Sequence, residues 1–531
     1  MTPESLATQR RLVPRWRSLA LTLRARELGL RGTPKPAPHL SPEMVQRLER
    51  WRMFPSIVSA SELVEIAIVE CREGEALNAA RRLIAPASTA APLVRAQAAE
   101  LLRRNGEEVP DKLVHARPTD ATAWRDLTRL HPHDALAWVE LALHQTVAGR
   151  DKRAERSMRV ALQLSPDNRH VLRSASRLFL HMGDPERAHD IVRRSAATRG
   201  DPWLLAAEIA LAELADRDPT FFKQGVRFVD DGGMFPHQIT ELAGAIGTAD
   251  LLGGGVKRSR RMFRTSMVDP TGSSLAQGEW ATRHLGVDLV PHERLDTVSE
   301  AHEAQAFHLY RRARFDDVPC ACEAWSRVDP FSLRPYEFGA STAAFTEDFP
   351  KAEELSARGL QRNSDSPILL NVRAFVMASQ NRLAEASKLL RQIDAKKASP
   401  AFRHLTGANN GMVAFRSGDL AKGRQLYLEA AEGFRKAHMP MPSAHARVFL
   451  AREAHLAGDP DAPKLLLEAQ KAVERLGFTE VSFTLEKVET LMGIAPLSPR
   501  KPNPVPPRPE PLPTKPRVIS WSTPGWTRPG S

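Results

Sequence analysis

Cysteine is nearly absent from this 531-residue chain. Cys71, Cys320 and Cys322 are its only three, too few for a disulfide framework, and the sequence reads as that of a reduced, cytoplasmic protein. Long hydrophobic runs are missing as well. No apolar stretch approaches the roughly 18 residues that cross a bilayer, and the arginines near the start lead into no apolar core of a secretory signal. Catalytic signatures fail in turn. Gly253-Gly254-Gly255-Val256-Lys257 lacks the spacing of a phosphate-cradling loop, and no H-E-x-x-H pair occurs. Cys320-Ala321-Cys322 and His131-Pro132-His133 have no second pair at a zinc-ligand spacing. Ser, Cys and His form no nucleophile signature. These absences predict a protein that binds rather than catalyses, with no cofactor, no metal and no small-molecule substrate.

The composition is 42% apolar and 26% charged, a globular balance that excludes wholesale disorder and a collagen-like fibre. The net charge of +12 is uneven. Residues 1–52 carry +7 and residues 496–531 carry +5, so the body between them is neutral and a basic body surface is not implied. In the first of these ends, Leu12, Trp16, Leu19 and Leu23 fall at helical spacing among arginines, which predicts a basic amphipathic helix over 10–30. Two readings stand for it: a cap over the open end of the fold, or a contact with an anionic membrane surface or acidic partner. The second end holds twelve prolines and ends beyond Trp521 and Trp526. It is expected to be a disordered tail with polyproline character and a docking role for its tryptophans.

The body repeats itself. In 135–168, Trp138, Leu141, Ala142 and Gln145 precede a Gly149-Arg150-Asp151 turn, and Ala154, Met158, Ala161 and Pro166 follow. A step of 34 residues brings Leu172, Ala175, Phe179, Gly183-Asp184, Ala188 and Val192 to corresponding places. Further copies begin at 239, where Arg258 replaces a small residue, and at 299, 333, 367 and 404. The last of these carries Gly411, Gly418-Asp419-Leu420, Gly423, Tyr427 and Ala430. Weaker copies start near Ala60 and Ala444, with degenerate stretches at 94–134, 203–238 and 273–298. This pattern resembles the tetratricopeptide repeat family. Small residues at positions 8 and 20 let two antiparallel helices approach, bulky ones fill the gap, and Pro ends the second helix.

The expected fold is therefore all-α: an α-solenoid of tetratricopeptide-like helix hairpins in two halves, with a disordered Pro-rich C-terminal tail. The expected divisions are a basic N-terminal capping segment (1–59), an N-terminal array (60–272), a degenerate junction (273–298), a C-terminal array (299–477), a capping helix (478–495) and the tail (496–531). Ala, Arg and Pro content fits a GC-rich bacterial source.

The resemblance also implies where a ligand would sit, on the first helix of each repeat at positions 2, 5, 9 and 12. In the first half these are Leu136, Val139, Leu143, His170, Arg173 and Arg177, the last two forming a basic pair on one helix face that suits a carboxylate or phosphate. In the second half they are Glu303, Phe307, Tyr310, Asn371, Phe375, Met412 and Phe415. Aromatic groups with one Asn would suit an extended or helical peptide. The alternative for each set is ordinary: a solvated arginine row, and inter-helix core after a small register error. No repeat pairs Lys at position 5 with Asn at 9, so the carboxylate clamp of chaperone-binding members is not expected. The function implied is a non-catalytic interaction scaffold or adaptor with a protein or peptide partner. The alternative is a regulator that meets nucleic acid or membrane through its basic ends.

Overall fold

The computed structural model describes residues 13–16, 40, 42–70, 72–90, 92–110, 120–130, 132–298, 300–393, 399–476 and 479–494. The Pro-rich tail and most of the expected 10–30 helix lie outside them. Among the described residues there are 26 α-helices and no strand. From Ala135 onward they run as antiparallel hairpins: Ala135–Val147 with Asp151–Leu164, Arg169–His181 with Pro185–Arg194, Arg334–Thr346 with Phe349–Arg362, Pro367–Ser379 with Leu383–Gln392, Pro400–Arg416 with Leu420–Lys436, and Pro440–Leu456 with Ala462–Leu476. A final helix, Thr479–Leu491, follows.

Local chemistry sets each hairpin. Gly183 (φ 78°) and Gly418 (φ 89°) take the left-handed conformation that ends a first helix, where a Cβ would be strained. The next residue then caps the second helix: Asp184 accepts a hydrogen bond from the Arg187 amide at 3.0 Å, and Asp419 from the Lys422 amide at 3.1 Å. Thus the Gly-Asp marker is a stop signal followed by a start signal.

The small residues do what close helix packing requires. Ala142 and Ala154, Ala340 and Ala352, and Ala374 and Ala386 are buried as pairs across their hairpins. In the copy at 239 the crossing shifts by one residue. Arg258 swings out to pair with Asp250, and Ser259, fully buried, takes its place by donating its hydroxyl to the Gly247 carbonyl at 2.8 Å.

The two layers of the stack pack unequally. Most first helices touch the first helix of the next hairpin, whereas successive second helices make far sparser contact. The first helices therefore line the concave side, as in stacked helical repeats. The second half holds one continuous core running from Tyr336 to Val488. Residues 13–16 are not helical, contrary to the expected amphipathic helix. Trp16 is not at an end of the stack: it is buried mid-array against Phe331.

Candidate functional site

Two places on the inner face bring chemically distinctive side chains together. The first is an open recess of about 550 Å³ between the helices Arg334–Thr346, Pro367–Ser379, Pro440–Leu456 and Thr479–Leu491. Phe345, Phe375, Phe449 and Phe483 line it. Phe375 meets Phe449 edge-on at 5.7 Å, and Phe345 lies 5.2 Å from Phe483. The Arg452 guanidinium stands over Phe449 at 4.6 Å and Phe375 at 5.7 Å, a cation on the negative faces of two rings.

Arg452 is held by charge as well. Its guanidinium donates to Glu453 at 2.8 Å and to Glu347 at 3.3 Å. Glu453, only 1% exposed, also accepts from Arg416 at 2.8 Å, and Arg416 in turn donates to the Ala378 and Ser379 carbonyls at 2.9 and 2.7 Å. Those carbonyls end the helix Pro367–Ser379, so the arginine satisfies groups that a helix terminus leaves open. The helix Thr479–Leu491 forms one wall of the recess: Lys487 donates to the Thr346 carbonyl at 2.7 Å, and Phe483 packs 5.2 Å from Phe315. The Thr484 hydroxyl lies 3.3 Å from His445 Nε2, and burial lowers that imidazole to a pKa of about 4.

The second place lies where the middle hairpins meet. Glu303 is 4% exposed and accepts from Arg334 at 2.8 Å and from Arg15 at 2.7 Å. Phe331 lies under the Arg177 guanidinium at 4.7 Å, with His181 edge-on at 5.6 Å and Trp16 at 5.5 Å. Burial holds the Arg177 guanidinium below its usual pKa, against the pull of Asp329.

The residues singled out from sequence distribute unevenly over these places. Arg177 and Glu303 come together at the second, and Phe375 lies on the wall of the first. Arg173 turns instead to two other helices, pairing with Glu241 of Pro236–Leu252 at 2.6 Å and stacking over Trp203 of Pro202–Leu214 at 5.3 Å. Phe307 and Tyr310 are buried against Phe338 at 5.3 and 5.4 Å, inside an inter-helix core. Phe415 packs on Tyr427, and Met412 is fully enclosed. Asn371 is buried, its backbone carbonyl accepting from Asn409 at 3.2 Å. Leu136, Val139 and Leu143 are core, and half-buried His170 is lowered to a pKa of about 4, chiefly by burial.

Sequence reasoning missed Arg334, Arg452, Phe331, Phe345, Phe449 and Phe483. The first two were within reach, since the same positional rule picks Arg334 at position 2 of the copy at 333 and Arg452 at position 9 of the copy at 444. Of the cysteines, Cys320 is exposed and Cys322 buried, its thiol pushed well up by burial. Among the described residues no group of three His, Cys, Asp or Glu could hold a metal, and no helix is long and apolar enough to cross a membrane.

No protein-family model matches the chain, and no curated protein does. Among solved structures it is similar to the anaphase-promoting complex hetero-tetramer Cut9-Hcn1, with 11% identity over 85% of this chain and 87% of that one (TM-score 0.41). It is also similar to yeast Tom70, with 13% identity over 76% of this chain and 96% of that one (TM-score 0.28).

Proposed function

We propose that this chain is a non-catalytic cytoplasmic scaffold that holds a segment of a partner protein on the concave face of its superhelix. The observation that carries the reading is the open aromatic recess of about 550 Å³ walled by Phe345, Phe375, Phe449 and Phe483. Aromatic rings facing an open hollow keep apolar area in water until something covers it, and a bulky apolar side chain on a peptide gains most by doing so. Arg452, Glu347 and Lys487 at its edge give the polar contacts that fix orientation.

The test replaces Phe375 and Phe449 together by Ala, since both are only half-buried and their loss leaves the hairpin cores in place. In a crosslinking pull-down from native cells, the double variant should lose a specific partner that the parent captures, with helical circular dichroism unchanged. Capture of the same partner in the same amount rejects the recess as the binding surface. The reading in which the basic ends meet nucleic acid or membrane is the less supported one, because Arg15 of the N-terminal group is engaged with Glu303.

A further inference from the structure

Residues 13–16, Val-Pro-Arg-Trp, thread into the inner face without forming a helix. They arrive from far away in sequence: Arg15 reaches across 288 positions to Glu303. Arg15 Nη2 donates to Glu303 Oε2 at 2.7 Å and to the Gly272 carbonyl at 3.4 Å. Pro14 is buried, and Trp16, 1% exposed, stacks at a tilt on Phe331. This is how a repeat array grips a short peptide: one charged hydrogen-bonded anchor, one large ring in an apolar seat, both on the concave side.

Two features distinguish this seat from ordinary core. Its walls hold one another. Besides Arg15, Glu303 has Arg334 at 2.8 Å, and Phe331 has Arg177 above it and His181 at its edge. Its occupant also fits imperfectly. The indole Nε1 of Trp16 is buried without a hydrogen-bond partner, a group whose desolvation is uncompensated. A ring that lacks the N–H, or that satisfies it, avoids that cost.

We propose that the seat formed by Glu303, Phe331, Arg177 and the Gly272 carbonyl is a receptor for a partner peptide carrying Arg followed by an aromatic residue, and that residues 13–16 are its built-in competitor. Covalent attachment gives that competitor a high local concentration. A partner must therefore outbid it, and the chain is held closed to weak ligands. The proposal shares with the scaffold reading only the use of the concave face. It concerns a different place from the aromatic recess.

The experiment measures fluorescence anisotropy of a labelled synthetic peptide spanning residues 10–19 of this chain, titrated with the full-length protein. R15A/W16A, which empties the seat, should bind the peptide at least about tenfold more tightly than the parent does. E303Q added to that background should weaken binding by about tenfold or more, and a peptide with Ala in place of both Arg and Trp should not bind. F375A/F449A added to it should leave the affinity unchanged, so that failure here and failure of the recess are read separately. Equal, weak binding by the parent and by R15A/W16A with full helical circular dichroism overturns the proposal. If R15A/W16A loses helical signal, R15A alone decides: tighter binding of the peptide than by the parent supports the seat, and no gain overturns it.

Discussion

Gly411 and Gly423 face each other across one hairpin so closely that a Cβ on either would stand 3.1 or 3.0 Å from the other's carbonyl oxygen. A Cβ on Gly423 would also collide with the Phe415 ring. Backbone on one helix meets backbone on the other, and neither can yield without moving a whole helix. Gly423→Val should therefore cost about 1–3 kcal/mol or more and lower the melting temperature. Gly407, in the same helix as Gly411, has nothing within 4 Å of a built Cβ, so Gly407→Ala should instead raise stability by about 0.5–1 kcal/mol through helix propensity. Urea denaturation of both variants checks the pair; equal effects would refute the close approach.

His445 makes stability fall in acid. Burial lowers its folded pKa to about 4, whereas the unfolded imidazole titrates near about 6.5. The folded state thus binds the proton less readily, and the contribution is complete above the unfolded value and lost as pH drops toward the folded one. At pH 5 the loss from this group is about 2 kcal/mol. His445→Phe removes it, so the stability of the variant relative to the parent should rise by about that amount between pH 7 and pH 5. Parallel stability–pH curves from urea titrations would contradict the assignment.

Arg416 serves three acceptors at once: Glu453 and the Ala378 and Ser379 carbonyls. Arg416→Ala leaves Glu453 with Arg452 still beside it, so the charge is not stranded, but the two carbonyls lose a donor. The expected cost is about 2–3 kcal/mol. Arg416→Lys should recover little of it, because a single ammonium cannot span the carboxylate and both carbonyls as the guanidinium fork does. Chemical denaturation of the two variants decides; full rescue by Lys would mean that charge alone matters.

Much of the hairpin geometry was legible in the sequence, because it is set locally. Gly183-Asp184 and Gly418-Asp419 state a helix end and a helix start within two residues, and Ala142 with Ala154 states a close crossing. The concave face was less legible, since what a side chain there touches depends on helices that sequence periodicity does not place. Phe307 and Tyr310 hold inner-face positions, yet Phe338 of the next hairpin packs against them. Phe345 and Phe483 share a wall although they sit far apart in sequence. Trp16 matched a helical stripe with Leu12 and Leu19, and no periodic pattern could reveal that it is seated against Phe331. Arg258 broke the small-residue rule only because Ser259, one step on, obeys it.

The closing helix Thr479–Leu491 changes how the second half answers to force. In an ideal stack each hairpin knows only its neighbours and peels away in turn, like coils drawn from a loose spring. Here Lys487 grips Thr346, 141 residues earlier in the chain, and Phe483 is wedged against Phe315 and Phe345. That helix is tied back to a much earlier turn, so tension applied to it must break that knot before any intervening coil can extend. The described helices between Phe315 and Leu491 are then expected to yield as one block.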